Sequence, residues 1–431
     1  MTSETTKIEC ISPVNGEVFV ERSLHGPEAI EAALSRAVSA QNAWCRVPIE
    51  ERAAICRRAN DILLADKDRH GREITMQMGR PISQSGREIE GFAQRTSHMI
   101  DIAGEALADQ YPTDGARSFI RRDPLGVVLS IAAWNYPYLI PAGSCVPAIM
   151  AGNAVILKHS AQTPLVAERL IEAYLAAGLP EGVFPFLHLD HPSTAKLIDD
   201  DRIAHVGFTG SVEGGRATHV AAARRFINVG LELGGKDPAY VRPDAEFETT
   251  VANLVDGCFY NAGQSCCSTE RIYVHRDIYD EFIERFVELT RQYRLGDPTD
   301  QNTNLGPMVR PRAAEFVRHQ IAEAVKQGAR ALIDHAQFPA SRAGSAYLAP
   351  QVLVDVDHTM EIMKEETFGP VVGIMKVDSD EAAIPLMNDS IYGLSASIWT
   401  SDPEAVIRLG HEIETGTVML NGTDRDDPAR A

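Results

Sequence analysis

Apolar residues in the first part of the chain recur at helical spacing. From Pro27 onward, Ile30, Ala33, Leu34, Ala37 and Val38 share one face, and a proline suits a first turn because its missing N–H is not needed there. Glu50 to Leu64 repeats the pattern, and after a Gly79-Arg80-Pro81 break a further helical run extends to about Ala108. The period then changes. Ser118 to Arg122 and Gly126 to Ile131 are short β-type runs around Asp123-Pro124, which predict a hairpin or arm. Ala154 to Leu157 is another such run, and Thr163-Pro164 is a cap and first-turn pair for a helix to Ala177. Val183 to Leu187, Ala204 to Phe208 and Phe226 to Leu231 follow, separated by helical or polar segments. Strands alternating with helices predict a parallel sheet covered on both faces. A second α/β region follows Gly235, with Pro238 to Val241, Arg271 to Val274 and Ile374 to Val377 as strands. The 431 residues suffice for two or three domains and contain no internal repeat or low-complexity tract.

Charge and cysteine usage narrow the partners. A formal net charge of −19, with no basic block, argues against nucleic acid or an anionic membrane surface. Seven cysteines are scattered without a CxxC pair or a Cys/His metal spacing, so neither a disulfide framework nor a metal site is expected. A reducing cytoplasm suits such thiols, and Met1 to Thr6 lacks the charged-then-apolar pattern of a secretion signal. Pro124 to Leu157 carries no charged residue and has the length of a membrane span. Gly126, Asn135, Pro137, Pro141, Gly143, Pro147, Gly152 and Asn153 interrupt it, which suits strand, loop, buried helix and strand inside a protein.

Candidate chemistry gathers in a few segments. Gly257 to Val274 sets Cys266 and Cys267 in a short Gly-Gln loop between an apolar helix and an apolar strand. Such a loop leaves backbone amides available and suits a thiol that attacks a carbonyl, although two small buried hydrophobes would read the same way. Leu231-Glu232-Leu233-Gly234-Gly235-Lys236 puts a carboxylate in an apolar stretch, where burial without a use is costly. Ala133-Trp134-Asn135-Tyr136-Pro137 lies upstream, and Lys364-Glu365-Glu366-Thr367-Phe368-Gly369-Pro370 downstream. With Leu305-Gly306-Pro307, Tyr392-Gly393-Leu394 and Gly416-Thr417-Val418, this ordered set resembles the aldehyde dehydrogenase superfamily along nearly the whole chain.

The resemblance implies an α/β fold with a Rossmann-type cofactor domain (1–105 and 125–235), a second α/β catalytic domain (236–431) and a small β oligomerisation arm (106–124). A homodimer or homotetramer is implied with it. No GxGxxG fingerprint is present. In its place, Phe208-Thr209-Gly210-Ser211-Val212-Glu213-Gly214-Gly215 runs a strand into a glycine and a hydroxyl at a helix N-terminus, which favours a phosphate but equally describes a plain βα turn. By resemblance, Gly210 and Ser211 bind the pyrophosphate of NAD or NADP, Lys158 bonds the adenosine ribose, and Glu366 holds the nicotinamide ribose with Phe368 nearby. Trp134, Leu233 and Gly234 also join the cofactor site. Many NAD-preferring relatives carry a glutamate three positions after the lysine. Here that position is Ala161, which keeps NADP open, although no obvious arginine awaits a 2′-phosphate.

For the reaction, the resemblance implies that Cys266 adds to an aldehyde, Asn135 and the Cys266 amide stabilise the oxyanion, and Glu232 activates the water that hydrolyses the thioester. Cys267 is expected to line the substrate pocket. Two departures stand out. A lysine found in the helix after the Asn135 motif in many hydrolytic members is Ser144 here. Relatives also continue beyond the region of Asn421 through a substrate-lining loop, a helix and a strand shared with a neighbouring subunit; either the chain is truncated, in which case the pocket lacks a wall and the dimer a strand, or its tail lies outside this sequence. Two rival readings are a CoA-acylating enzyme, against which Glu232 argues, and a silent scaffold of the same fold, against which Cys266, Glu232 and Asn135 argue.

Overall fold

The structure, a computed structural model, describes residues 6–112 and 117–423. They divide into two units, one within Met1–Ser12, Gly16–Gln77 and Ser85–Glu232, the other within Pro13–Asn15, Met78–Gln84 and Leu233–Ala431. In chain order the first carries an antiparallel ribbon, β1 (Lys7–Ile11) and β2 (Val18–Ser23), then α1 (Pro27–Trp44), α2 (Ile49–Ala65), α3 (Lys67–Met78) and α4 (Ile82–Ala106). The α/β part follows: β3 (Val127–Ala132), α5 (Leu139–Met150), β4 (Ala154–His159), α6 (Pro164–Ala176), α7 (His191–Ile198), β5 (Ile203–Thr209), α8 (Val212–Ala223) and β6 (Asn228–Glu232).

These four strands are parallel in the order β4-β3-β5-β6. Val183 to Leu187 lies along the outer side of β4, with Val155 N donating to Val183 O at 2.8 Å and Leu157 N to Pro185 O at 2.9 Å. Every residue of β3 is buried, as expected for a central strand between two helical layers. The charge-free stretch is thus β3, α5 and β4. Among the described residues no helix is long and apolar enough to cross a membrane.

Two local expectations are corrected. Gly126 to Ile131 does not pair with Ser118 to Arg122, because its apolar side chains belong to the sheet core; Ile120 instead bridges Gln110 antiparallel. Residues 113–116 of the expected arm lie outside the described residues, while Tyr111, Phe119, Ile120 and Leu125 are exposed and the Tyr111 and Phe119 rings stack. Thr163 occupies the cap position of α6, with Pro164 at its first turn, but its hydroxyl does not cap. His159 Nε2 donates to the Pro137 carbonyl at 2.8 Å, which leaves Nδ1 as an acceptor, and the Thr163 hydroxyl donates there at 3.1 Å.

The second unit comprises β7 (Asp237–Val241), α9 (Phe247–Phe259), β8 (Thr269–His275), α10 (Tyr279–Thr290), α11 (Pro311–Lys326), β9 (Arg330–Ala331), β10 (Gln351–Val354), β11 (Val371–Val377), α12 (Asp380–Asn388), β12 (Ser395–Trp399), α13 (Pro403–Gly410) and β13 (Thr417–Leu420). Its seven strands run in the order β13-β12-β7-β8-β11-β10-β9, parallel except for β9. Strand alternation divides the core between the two faces. Ala239, Val241, Ile272 and Val274 pack on one, Tyr240 and Tyr273 on the other. The expected catalytic segment 236–431 includes residues 424–431, which lie outside the described residues.

Candidate active site

In the first unit every candidate residue lies at the carboxyl edge of the parallel sheet, where α/β proteins bind ligands. Trp134 and Asn135 follow β3, Lys158 is near the end of β4, Gly210 and Ser211 follow β5, and Glu232 ends β6. Two buried groups hold the Asn135 loop: Glu88 on α4 accepts from Tyr138 N at 2.8 Å, and His159 takes Pro137 O. Burial pulls the His159 imidazole down to about 4, so it works as a neutral donor. Asn135 itself is buried at this turn.

Ser144 faces the sheet from α5. Its hydroxyl lies 2.7 Å from that of Ser130 on β3, and a Cβ on Gly207 of β5 would come within 3.3 Å of its own. The residue that replaces the expected lysine is therefore packed on the sheet.

Gly210 and Ser211 form the turn into α8. The Ser211 hydroxyl accepts from Gly214 N at 3.2 Å, an N-cap, while the Phe208 ring lies so close that a Cβ on Gly210 or Gly214 would fall within 2.8 Å of it. The glycines let the backbone fold against that ring. Lys158 is partly buried, and burial lowers its ammonium from the ordinary lysine value.

Glu232 departs from expectation. The apolar run around it suggested a partly apolar setting, yet Leu231 and Glu232 are exposed within their unit. The reason is topological: β6 is an edge strand, paired to β5 on one side and to no strand on the other among the described residues. Its backbone does meet the phosphate-type turn, since Gly210 N donates to Glu232 O at 3.0 Å.

In the second unit the candidates lie at the amino ends of three strands: Leu233 and Gly234 before β7, Cys266 before β8, Glu366 and Phe368 before β11. α9 ends in a sharp reversal in which Asn261, Ala262 and Gly263 have φ of 53°, 56° and 68°. Two of these are not glycine and cost about 1–2 kcal/mol each, so the loop has to be held. Asn261 Nδ2 donates to Gln264 O and Gln264 Nε2 to Asn261 O, both at 3.1 Å; Gln264 Oε1 accepts from Val309 N at 2.8 Å, and Arg80 Nε donates to Asn261 Oδ1 at 3.1 Å. A Cβ on Gly263 would collide with the Gly369 carbonyl, so this glycine fixes the thiol loop against Gly369-Pro370.

Cys266 and Cys267 are both partly exposed, with sulfurs 4.0 Å apart. Cys267 faces a cleft of about 10 Å³ lined by Asp237, Pro238, Thr269, Ser395 and Met419. The Gly-Gly turn joins the thiol to Glu366: a Cβ on Gly235 would lie 2.4 Å from the Cys266 carbonyl oxygen, and one on Gly234 would lie 2.3 Å from Glu366 Oε2. Gly235 N donates to Glu366 Oε1 at 3.2 Å. Burial, assisted by the negative Glu270, raises the Glu366 carboxyl to about 7.

Beneath these loops lies a floor of buried charged residues to which the sequence reading gave no role. Lys236, Asp237, Glu270 and Arg271 are all buried, with Lys236 Nζ 2.6 Å from Glu270 Oε2 and Arg271 Nε donating to Lys236 O at 2.8 Å. The signal was legible: Glu270-Arg271 interrupts an otherwise β-type run, and β8 begins two residues earlier than the apolar pattern indicates. Among the described residues no group of three or more His, Cys, Asp or Glu could hold a metal ion.

The family model described as the aldehyde dehydrogenase family matches residues 1–430. An aldehyde dehydrogenase of Paenarthrobacter nicotinovorans is 36% identical over 427 residues, 98% of this chain and 93% of that one. The succinic semialdehyde dehydrogenase of Streptococcus pyogenes, solved with NADP+ as the cofactor, superimposes with a TM-score of 0.92 at 29% identity, covering 96% of this chain and 91% of the other. An NAD-dependent aldehyde dehydrogenase from Sinorhizobium meliloti gives a TM-score of 0.92 at 31% identity over 98% and 85% of the two chains. The protein is thus an NAD(P)-dependent oxidoreductase, an enzyme rather than a silent scaffold. The chain belongs to the aldehyde dehydrogenase family, and it oxidises an aldehyde to a carboxylic acid with NAD or NADP. None of these relatives supports the CoA-acylating alternative.

Proposed function

We propose that Cys266 is the nucleophile, Asn135 the oxyanion donor and Glu232 the base for hydrolysis. The observation that carries the first assignment is the thiol loop itself, whose left-handed backbone is cross-linked through Gln264 and seated on Gly235 and Gly369 while its thiol stays accessible. The Cys266 thiolate adds to the carbonyl carbon; a C–S bond forms as the C=O π pair moves to oxygen, where the Asn135 side-chain N–H and the Cys266 amide donate. As the C=O re-forms, the C–H bond of that carbon breaks and its hydride leaves, for which a nicotinamide held by the cofactor residues would supply the acceptor. The acyl group is then a thioester on Cys266. Glu232 takes a proton from water, the water oxygen attacks the thioester carbon, and the C–S bond breaks to release the acid and restore the thiolate. The exposed position of Glu232 keeps its carboxylate accessible to water. No resident metal is assigned.

The residues fit a dinucleotide. Gly210 and Ser211 at the start of α8 would take the pyrophosphate and Lys158 the adenosine ribose, with Trp134 and Leu233 contributing to the site. Gly234 is a cradle that a Cβ would fill, and it leaves room for the Glu366 carboxyl that would hold the nicotinamide ribose beside Phe368. The segments 1–105 and 125–235 then form the cofactor domain, 236–431 the catalytic domain and 106–124 an oligomerisation arm. Exposed Tyr111, Phe119, Ile120 and Leu125 support that arm and a homodimer or homotetramer. The reduced thiols and acidic charge suit the cytoplasm. A panel of aldehydes assayed against NAD+ and NADP+ by nicotinamide absorbance tests the reaction; no reduction with any of them would contradict it.

Asn135→Ala lowers turnover by about 10²–10³, the usual loss for one oxyanion donor, with cofactor affinity nearly unchanged. Steady-state and single-turnover rates check this, and a loss below about threefold in the chemical step would remove the role. Ala161 is exposed in the turn after β4, so a larger side chain is tolerated there. Ala161→Glu shifts preference toward NAD by about 1 kcal/mol or more, through repulsion of a 2′-phosphate. The ratio of kcat/KM for the two cofactors reads this directly, and an unchanged ratio would place position 161 away from the ribose.

A further inference from the structure

Glu270 stands outside the proposed catalytic set, yet it is only 2% exposed and its carboxylate receives three donors, two backbone amides and an ammonium. Thr367 N donates to Oε2 at 2.9 Å, Phe368 N to Oε1 at 2.8 Å, and Lys236 Nζ to Oε2 at 2.6 Å. Lys236 Nζ also donates to the Thr367 hydroxyl at 3.0 Å. An ion pair built only to neutralise a buried lysine has no need of two consecutive backbone amides. Here those amides belong to the residues directly after Glu366. Phe368 has a φ of 52°, a left-handed conformation that a bulky side chain avoids, so its backbone requires an outside hold. On the opposite side, Gly234 and Gly235 close on the Glu366 carboxyl.

We propose that Glu270 is a positioning residue for cofactor binding, its Lys236-locked carboxylate gripping the Thr367–Phe368 backbone and thereby aiming the Glu366 carboxyl at the nicotinamide ribose. This rests on the cofactor role of Glu366 and Phe368. Glu270 is on β8, four residues after Cys266, and Lys236 directly follows the turn that touches both Cys266 and Glu366. One ion pair therefore ties the ribose loop to the strand that carries the thiol loop. The grip is also electrostatic. Among the described residues of its unit, the titratable groups acting on the Glu366 carboxyl are Glu270 and Lys236, with Tyr392 nearby, its hydroxyl 3.5 Å from Glu365 Oε2. Burial raises the Glu366 carboxyl most and the negative Glu270 adds to it, while the Gly235 N–H and Lys236 oppose them, with a value of about 7. An ionised Glu366 accepts ribose hydroxyls best, so cofactor affinity rises with pH through that region.

The test measures NAD+ and NADP+ dissociation constants by calorimetry without aldehyde, from about pH 5.5 to 8.5, together with alkylation of Cys266 by iodoacetamide and thermal melting. Glu270→Gln weakens cofactor binding about tenfold or more, because a displaced positioning group loses geometry at the ligand. It also moves the midpoint of the pH profile down, since a negative neighbour has gone. Alkylation changes by less than about twofold, the thiol loop being held by Gln264 and Asn261. Because the single variant leaves Lys236 buried with a lost charge partner, Lys236→Met/Glu270→Gln is measured beside it. This pair recovers melting temperature while cofactor binding stays weak. Wild-type affinity in the double variant would overturn the proposal, leaving Glu270 as a neutraliser of Lys236. Glu366→Gln separates the premises: if it weakens binding and flattens the pH profile while both Glu270 variants bind like the wild type, the positioning role fails alone. If Glu366→Gln changes neither, the ribose reading fails and the positioning role with it.

Discussion

Replacing Cys266 with alanine abolishes aldehyde-dependent reduction of NAD(P)+, whereas Cys267→Ala leaves most of it. The two thiols are adjacent in sequence, but their surroundings differ. The carbonyl of Cys266 packs on Gly235 beside the turn that cradles Glu366, whereas Cys267 faces a narrow cleft between β7, β8 and β12. Removing a nucleophile leaves only binding and oxyanion contacts, so the loss is roughly 10⁴-fold or more. Turnover and melting temperature of both variants check the assignment. An active Cys266→Ala beside an inactive, folded Cys267→Ala would reverse it.

Glu232→Gln gives the second large effect. Acylation needs the thiolate and the cofactor but not the deacylating water, so the variant releases one equivalent of NAD(P)H per active site in a fast burst. Steady-state turnover then falls by about 10²–10⁴, the usual contribution of a positioned general base. A variant with full steady-state turnover, or a wild type whose turnover requires CoA, would contradict the hydrolytic role. If the burst is also lost, the thiol pKa of the variant decides: a raised value gives Glu232 a second role in deprotonating Cys266.

Much of this was legible in the sequence because periodicity reports burial. Helices from Pro27 and Glu50, the break at Gly79-Arg80-Pro81, the buried strands β3 and β4 and the partly buried β5 follow from where apolar side chains recur. The thiol loop and the Gly-Gly turn were visible as motifs. Their reason lies in long-range packing: Gly263 on Gly369, Gly235 on Cys266 and Gly234 on Glu366 are contacts between distant segments. Where the reading went astray, strand position decided. An apolar run does not say which strand it pairs with or whether it is central or at an edge, so Gly126 to Ile131 was read as a strand run beside Ser118 to Arg122 and Glu232 as lying in an apolar stretch. Side-chain competition was equally hidden. Thr163 has the residue type of a cap, but a neutral imidazole four residues earlier accepts its hydroxyl hydrogen bond. Glu270 was overlooked because a buried carboxylate reads as an ordinary charged residue until its donors, Lys236 and two backbone amides, are brought to it by the fold.

The central claim is a covalent acyl-enzyme on Cys266, and peptide mass spectrometry addresses it directly. Glu232→Gln is mixed with NAD(P)+ and an aldehyde that the wild type oxidises, quenched in acid at the end of the burst and digested. The account predicts that the peptide containing Cys266 gains the mass of the aldehyde less two hydrogens, in an amount equal to the NAD(P)H released, and that Cys266→Ser with the same aldehyde gains no thioester. NAD(P)H release with no acyl group on Cys266, or with the acyl group on Cys267, would contradict it.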